Sequence, residues 1–238
     1  MANVAVGLTG DVRFRDGTPV LELVANGHDE RVQVTPTVVY HHRTWTGDTA
    51  TIPPGNRHAW SFPLPAPEDP GTFPVSIRAA YRAGGHAAMT PLVLVLATPG
   101  AAGSPVRTTL TTTPITTFGR GELVLENGDD RPLAGRVSYL LPAGLRTDPE
   151  STPARVAAGE RAVLPLLIEN LGALPTSGES LFAVFEYSAD GSHHTVVAAA
   201  PLDVAPPRGV SVPLMVGLGA LAAAVCVLVV ASRRAAAH

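Results

Sequence analysis

The chain has one cysteine, Cys226, in 238 residues, so it can form neither an internal disulfide nor a cysteine-based zinc site. It also lacks a basic excess: 17 Lys and Arg against 20 Asp and Glu leave a net charge of −3, which gives no field to hold nucleic-acid phosphates. Aromatic residues are only 5 % of the chain, which also argues against base stacking. Charged residues are few, at 16 %, but hydrophobic ones reach 45 %, enough for a packed core and outside the disordered class. Sequence motifs of known chemistry are missing as well. There is no HExxH, no GxSxG elbow and no Gly-rich phosphate loop.

Gly and Pro number 23 each, and the prolines are scattered without period. Turns separating short apolar runs point to an all-β chain. In the first half, VLELVA alternates and stops at Asn26-Gly27, a strong turn dipeptide. RVQVTPTVVYHH is a long extended run to His42; HAWSFPLP follows, then TFPVSIRAAYRA and AAMTPLVLVLA. The second half repeats the order with GELVLEN, GRVSYLLPAGL, RVAAGERAVLPLLIEN, LFAVFEYSADG and HHTVVAAAPLDVA. Asn26-Gly27 aligns with Asn127-Gly128, Pro54-Gly55 with Ala158-Gly159, and Tyr81 with Tyr187, which indicates an internal duplication. Units of about 100 residues with about seven strands fit β-sandwiches. The TPGAAGSPVRT stretch between them is a linker, short enough to place the two sandwiches end to end with limited freedom.

The run Val210 to Ala231 carries no charge and is followed by Arg233 and Arg234. Its length matches the ~20 residues that cross a bilayer. Arg208 alone precedes it, so the positive bias places the C-terminus in the cytoplasm and the bulk outside. The opening MANVAVGLTGDVRF alternates like a strand and has no signal-peptide pattern, so the expectation is a start further upstream.

The second half, from Pro105 to Ala205, has a strand ending in Asn, then LPAGL, an AG turn before an apolar strand, and EYSADG. This order resembles bacterial immunoglobulin-like modules of the NEW3 and CARDB type; Val4 to Ala97 resembles them more loosely. The resemblance implies spacer or binding domains of the cell envelope with no catalytic residues.

The expected fold is therefore two tandem immunoglobulin-like β-sandwiches followed by one transmembrane α-helix. Residues 1–98 form the first sandwich, 99–107 the linker, 108–205 the second sandwich, 206–209 the juxtamembrane segment, 210–231 the helix and 232–238 a short cytoplasmic tail. No catalytic, metal or cofactor site is expected. The adjacent pairs His41-His42 and His193-His194 would point to opposite faces of a strand and could not chelate together. His28 and His58 have no ligand spacing. GHDE at 27–30 and NGDD at 127–130 read as polar turns. The expected function is a membrane-anchored spacer, adhesion or assembly module, with the bilayer and other envelope proteins as partners. Glycan binding and an accessory-subunit role are the alternatives. For a glycan or protein partner, Trp45 in a loop-like setting, with Tyr40, Arg43 and Tyr81, offers the candidate contacts.

Overall fold

A computed structural model describes residues 6–83, 86–173 and 176–205, and among these every regular element is a strand. β1 (Val6–Arg15) and β2 (Thr18–Gly27) form a hairpin through Asp16-Gly17, whose φ values of 49° and 79° supply the left-handed turn that matches strand twist. β6 (Arg57–Pro63) pairs with the other edge of β2 and completes a three-stranded sheet. The facing sheet centres on β3 (Val32–Tyr40). It pairs with β4 (Arg43–Thr46), with the short β5 (Ala50–Ile52) and with β7 (Thr72–Ala83), and β8 (His86–Ala97) lies outside β7. Alternation sends Leu21, Leu23, Ala25, Trp60 and Phe62 inward from one sheet. They meet Val34, Val38, Tyr40, Phe73, Val75 and Ile77 from the other in one core.

The second half repeats the plan. β9 (Val106–Thr112), β10 (Phe118–Asn127), β12 (Leu145–Thr147) and β14 (Arg161–Asn170) form a sheet in the order β12-β14-β10-β9. β11 (Leu133–Leu140), β13 (Ser151–Val156), β15 (Thr176–Ala189) and β16 (Ser192–Val204) form its partner in the order β13-β11-β15-β16. Leu123, Leu125 and Ile168 face Val137, Leu181 and Phe185 across a second core. Val106 belongs to that core, so strand structure begins inside the stretch expected to be linker. The uncharged run 210–231 lies outside the described residues, among which no helix is long and apolar enough to cross a membrane.

The registers show how the halves correspond. Val6 pairs with Gly27 as Val106 pairs with Asn127, and Val34 pairs with Tyr81 as Gly135 pairs with Tyr187. The N–H of Gly27 donates to the Asn56 carbonyl and that of Asn127 to the Glu160 carbonyl, both at 2.9 Å. Gly27, not Asn26, therefore stands at the place of Asn127. Asn26-Gly27 is not a turn: both residues end a strand already paired on both edges, and the chain then crosses to the opposite sheet. GHDE and NGDD accordingly lie on these crossings rather than at hairpin tips. Asn127 holds its crossing by donating from Nδ2 to the carbonyls of Arg131 (2.8 Å) and Ala157 (3.0 Å), while its Oδ1 accepts from the Asp129 N–H. At Gly27 a Cβ would meet the Pro53 carbonyl oxygen at 2.9 Å, so the same side chain has no room there. One strand departs from the repeat: β4 pairs with β3, whereas β12 pairs with β14.

The two sandwiches pack along their sides rather than end to end. Val93, on the outer face of β8, meets Leu140 and Val184 on the outer face of the second sandwich, with Phe182 and Val197 around them. Beside this apolar contact Gly71 forms a bridge to His193, and the His193 N–H donates to the Pro70 carbonyl at 3.0 Å. Gly71 has φ 141°, and any Cβ there would fall on the His193 backbone.

Gly71→Val is therefore expected to open the contact between the sandwiches while leaving each core folded. By hydrogen exchange, the amides of His193 and Thr195 should lose protection and those of Leu23 and Ile168 should keep theirs. Equal loss at all four would contradict this assignment.

Candidate functional site

The side-by-side packing leaves an open cleft of about 620 Å³ between the outer faces of the two sandwiches. Its polar lining includes His41, His42 and Asp69 of the first and Glu186, Ser192 and His193 of the second. His41 and His42 are not on a strand, as their sequence setting suggests. They are the two residues of the β3–β4 turn, because Tyr40 pairs directly with Arg43. Their φ values are 46° and 59°, a region that disfavours side chains by about 1 kcal/mol or more per residue. This turn brings the His41 ring to 4.5 Å from Tyr40 and 4.9 Å from Phe73.

Phe73 is also stacked by His193, with centroids 4.7 Å apart and planes 5° from parallel. Strand alternation sends the neighbouring His194 the opposite way, into the second core, where it stacks on Tyr187 at 4.9 Å. His193 Nδ1 lies 2.7 Å from the Thr72 carbonyl, which can only accept, so this nitrogen carries a proton. Nε2 lies 3.4 Å from Glu186 Oε1. A neutral ring would turn a bare lone pair toward that carboxylate, whereas an imidazolium donates at both ends. The His193 pKa is accordingly raised, chiefly by the hydrogen bond to Glu186 and against the opposing effect of burial. His41 is shifted the other way, first by burial and then by the nearby charges of His193 and His42.

One contact between ionisable groups does cross between the sandwiches. Tyr81 Oη donates to Glu179 Oε1 at 3.4 Å, and both groups are buried. Burial raises the pKa of each; for Tyr81 the Glu179 charge adds to the effect, and for Glu179 the Tyr81 and Thr90 hydrogen bonds oppose it.

The contacts expected from sequence do not form one surface. Tyr40 lines the cleft but is 1 % exposed, with its hydroxyl pushed up to about 12 by burial. Tyr81 faces inward toward Glu179. Trp45 lies not in a loop but in β4, half-buried against the first core, and of the four only Arg43 is exposed. His28 sits beside Gly7 and His58 packs edge-on against Trp60, so neither joins the cleft histidines. Among the described residues no three His, Cys, Asp or Glu side chains converge to hold a metal. Phe73, Glu186 and His193 had no sequence signal as a group, because 120 residues separate the stacked rings. The cleft thus offers a histidine–carboxylate pair of the second sandwich, whose histidine reaches a backbone carbonyl and an aromatic ring of the first.

No family model and no curated protein matches the chain. Among solved structures, Escherichia coli alpha-2-macroglobulin activated by porcine elastase is similar at 12 % identity and TM-score 0.34, over 84 % of this chain and 22 % of that one. Red sea bream transglutaminase is similar at 12 % identity and TM-score 0.27, over 81 % of this chain and 31 % of that one. A protein of unknown function from Porphyromonas gingivalis W83 is similar at 14 % identity and TM-score 0.29, over 84 % of this chain and 100 % of that one. The chain spans less than a third of the length of the first two. Similarity at this level fixes no activity.

The histidines predict opposing pH effects. His193, with its folded pKa above the unfolded value of 6.5, contributes stability fully below that value and loses it as pH rises through the folded pKa. His41, with its folded pKa lowered, loses its contribution as pH falls through and below 6.5. A part-exposed ion pair of this kind is typically worth about 0.5 kcal/mol, or ~1–2 °C in Tm for a chain of this size. His193→Gln should remove the decline in Tm between pH 6 and pH 8.5. His41→Gln should flatten the acid side. Identical profiles for the parent and His193→Gln would show that the ion pair contributes nothing.

Proposed function

We propose that the chain is a non-enzymatic, single-pass membrane protein whose two immunoglobulin-like sandwiches stand outside the cytoplasmic membrane as a stiff spacer and assembly module for other envelope proteins. The observation that carries this reading is the contact between the sandwiches. A spacer must hold direction as well as distance, and a flexible linker supplies only distance. Here the linker is supplemented by an apolar cluster, a backbone bridge and hydrogen bonds from both ends of the Thr72 region. The uncharged run Val210 to Ala231, followed by Arg233 and Arg234, supplies the anchor and its orientation. The sheet orders of the described residues are compatible with immunoglobulin-like modules of the NEW3 and CARDB type. A glycan-binding reading is weaker, because stacking on sugars needs open ring faces and Tyr40 and Tyr81 are drawn into the interior.

Cysteine accessibility tests the topology. In a Cys226→Ala background, Glu160→Cys on an exposed turn should react with a membrane-impermeant maleimide on intact cells, and Ala236→Cys should react only after permeabilisation. The reverse pattern would overturn the extracytoplasmic reading, and labelling of both only after lysis would place the bulk in the cytoplasm.

A further inference from the structure

Three of the large apolar side chains left open to solvent gather at one end of the second sandwich: Phe118 (53 % exposed), Leu167 (54 %) and Leu171 (58 %). Phe118 opens β10, and Leu167 pairs with Arg120 across the same outer face. Leu171 directly follows β14. This end is firmly built. The Asn170 N–H donates to the Thr117 carbonyl and its Nδ2 to the Thr116 carbonyl, both at 2.9 Å, and the Leu171 N–H donates to the Gly144 carbonyl at 2.8 Å. The apolar residues are thus presented on braced backbone.

The same end is where the sandwich chain finishes. Val204 bridges to Ile115, and the Ala205 N–H donates to the Ile115 carbonyl at 2.9 Å, three residues before Phe118. Only residues 206–209 then separate Ala205 from the uncharged run at Val210. Four residues span at most ~14 Å even fully extended. We propose that Phe118, Leu167 and Leu171 form a lipid-contacting surface that seats in the interfacial layer of the bilayer, with Arg120 beside them at headgroup level. The proposal rests on the anchored reading above. Exposed Phe and Leu beside a cation suit the membrane interface. A second copy of the chain suits it less: three half-exposed side chains offer roughly 300 Å², well short of the ~800 Å² per partner of a stable protein interface.

The test uses the full chain reconstituted in phosphatidylcholine–phosphatidylglycerol vesicles, with flotation and carbonate extraction as the measure of anchoring. Phe118→Trp and Leu171→Trp add one tryptophan each at the proposed surface. Glu126→Trp, on the same face of β10 but eight residues and ~26 Å away, is the control. With lipids brominated near the carbonyls, the emission added at 118 and 171 should fall about 2-fold, and that at 126 should not change. A chain that floats and resists carbonate while positions 118 and 171 stay unquenched keeps its anchor and loses this surface. A chain that carbonate removes overturns the anchor and the proposal with it. A blue shift at 118 that grows with protein-to-lipid ratio in unbrominated vesicles would assign the surface to a second copy and overturn lipid contact.

Discussion

Thr72 is the residue through which the two sandwiches become one body. Its carbonyl accepts from His193 Nδ1 at 2.7 Å and from the Thr195 hydroxyl at 2.8 Å, and its own hydroxyl accepts from the Thr195 N–H at 2.7 Å. Three hydrogen bonds on one residue fix both distance and direction, and the missing side chain at Gly71 allows the backbones to approach closely enough to make them. The apolar cluster of Val93, Leu140 and Val184 excludes water nearby but carries little directional information. The outer faces of the two sheets diverge from these contacts, and the cleft is the space that this divergence leaves.

The electrostatics follow from that geometry. Protonation of His193 is favoured because the Thr72 carbonyl already demands a proton on one nitrogen and Glu186 faces the other. A charge there disfavours protonation of the nearby His41, an effect second to burial. Two imidazoles in contact with one aromatic ring are thus shifted in opposite directions. At the buried Tyr81–Glu179 contact no cation among the described residues is paired with the carboxylate, so burial dominates and raises its pKa. The junction therefore holds one ionisable contact that favours charge and another that disfavours it.

Strand content was legible in the sequence because it depends on local alternation. Leu21, Leu23 and Ala25, like Val75, Ile77 and Ala79, show the period-two burial that their spacing demands. Turn chemistry was legible only where chain geometry agreed with it. Asp190-Gly191 does close the β15–β16 hairpin, with φ values of 52° and 71°. Asn26-Gly27 has the stronger turn signal and is strand, since pairing on both edges of β2 overrides it. The His41-His42 turn has no such signal, and the tight return from β3 to β4 imposes left-handed backbone on two residues that do not favour it. The junction was invisible for a different reason. Thr72, Phe73 and His193 meet only in space, and the aromatic residues that stood out by type alone were large enough to be taken into the cores.

The duplication explains why tyrosine recurs at equivalent registers and why its chemistry differs. Tyr81 and Tyr187 occupy the same place on matching strands, each carrying a hydroxyl to the edge of its own core. Tyr187 bonds at 2.7 Å to the hydroxyl of Ser104 in the connecting segment, and Ser104 accepts from the Val106 N–H as β9 begins. Tyr81 reaches instead across to Glu179 of the other sandwich. A phenol at this register always needs a partner for its buried hydroxyl. In one copy the connecting segment meets that need, and in the other the neighbouring sandwich does. Satisfying the same buried group in two ways fastens both the connection and the contact, so two repeats joined by a short Gly- and Pro-containing segment behave as a single unit.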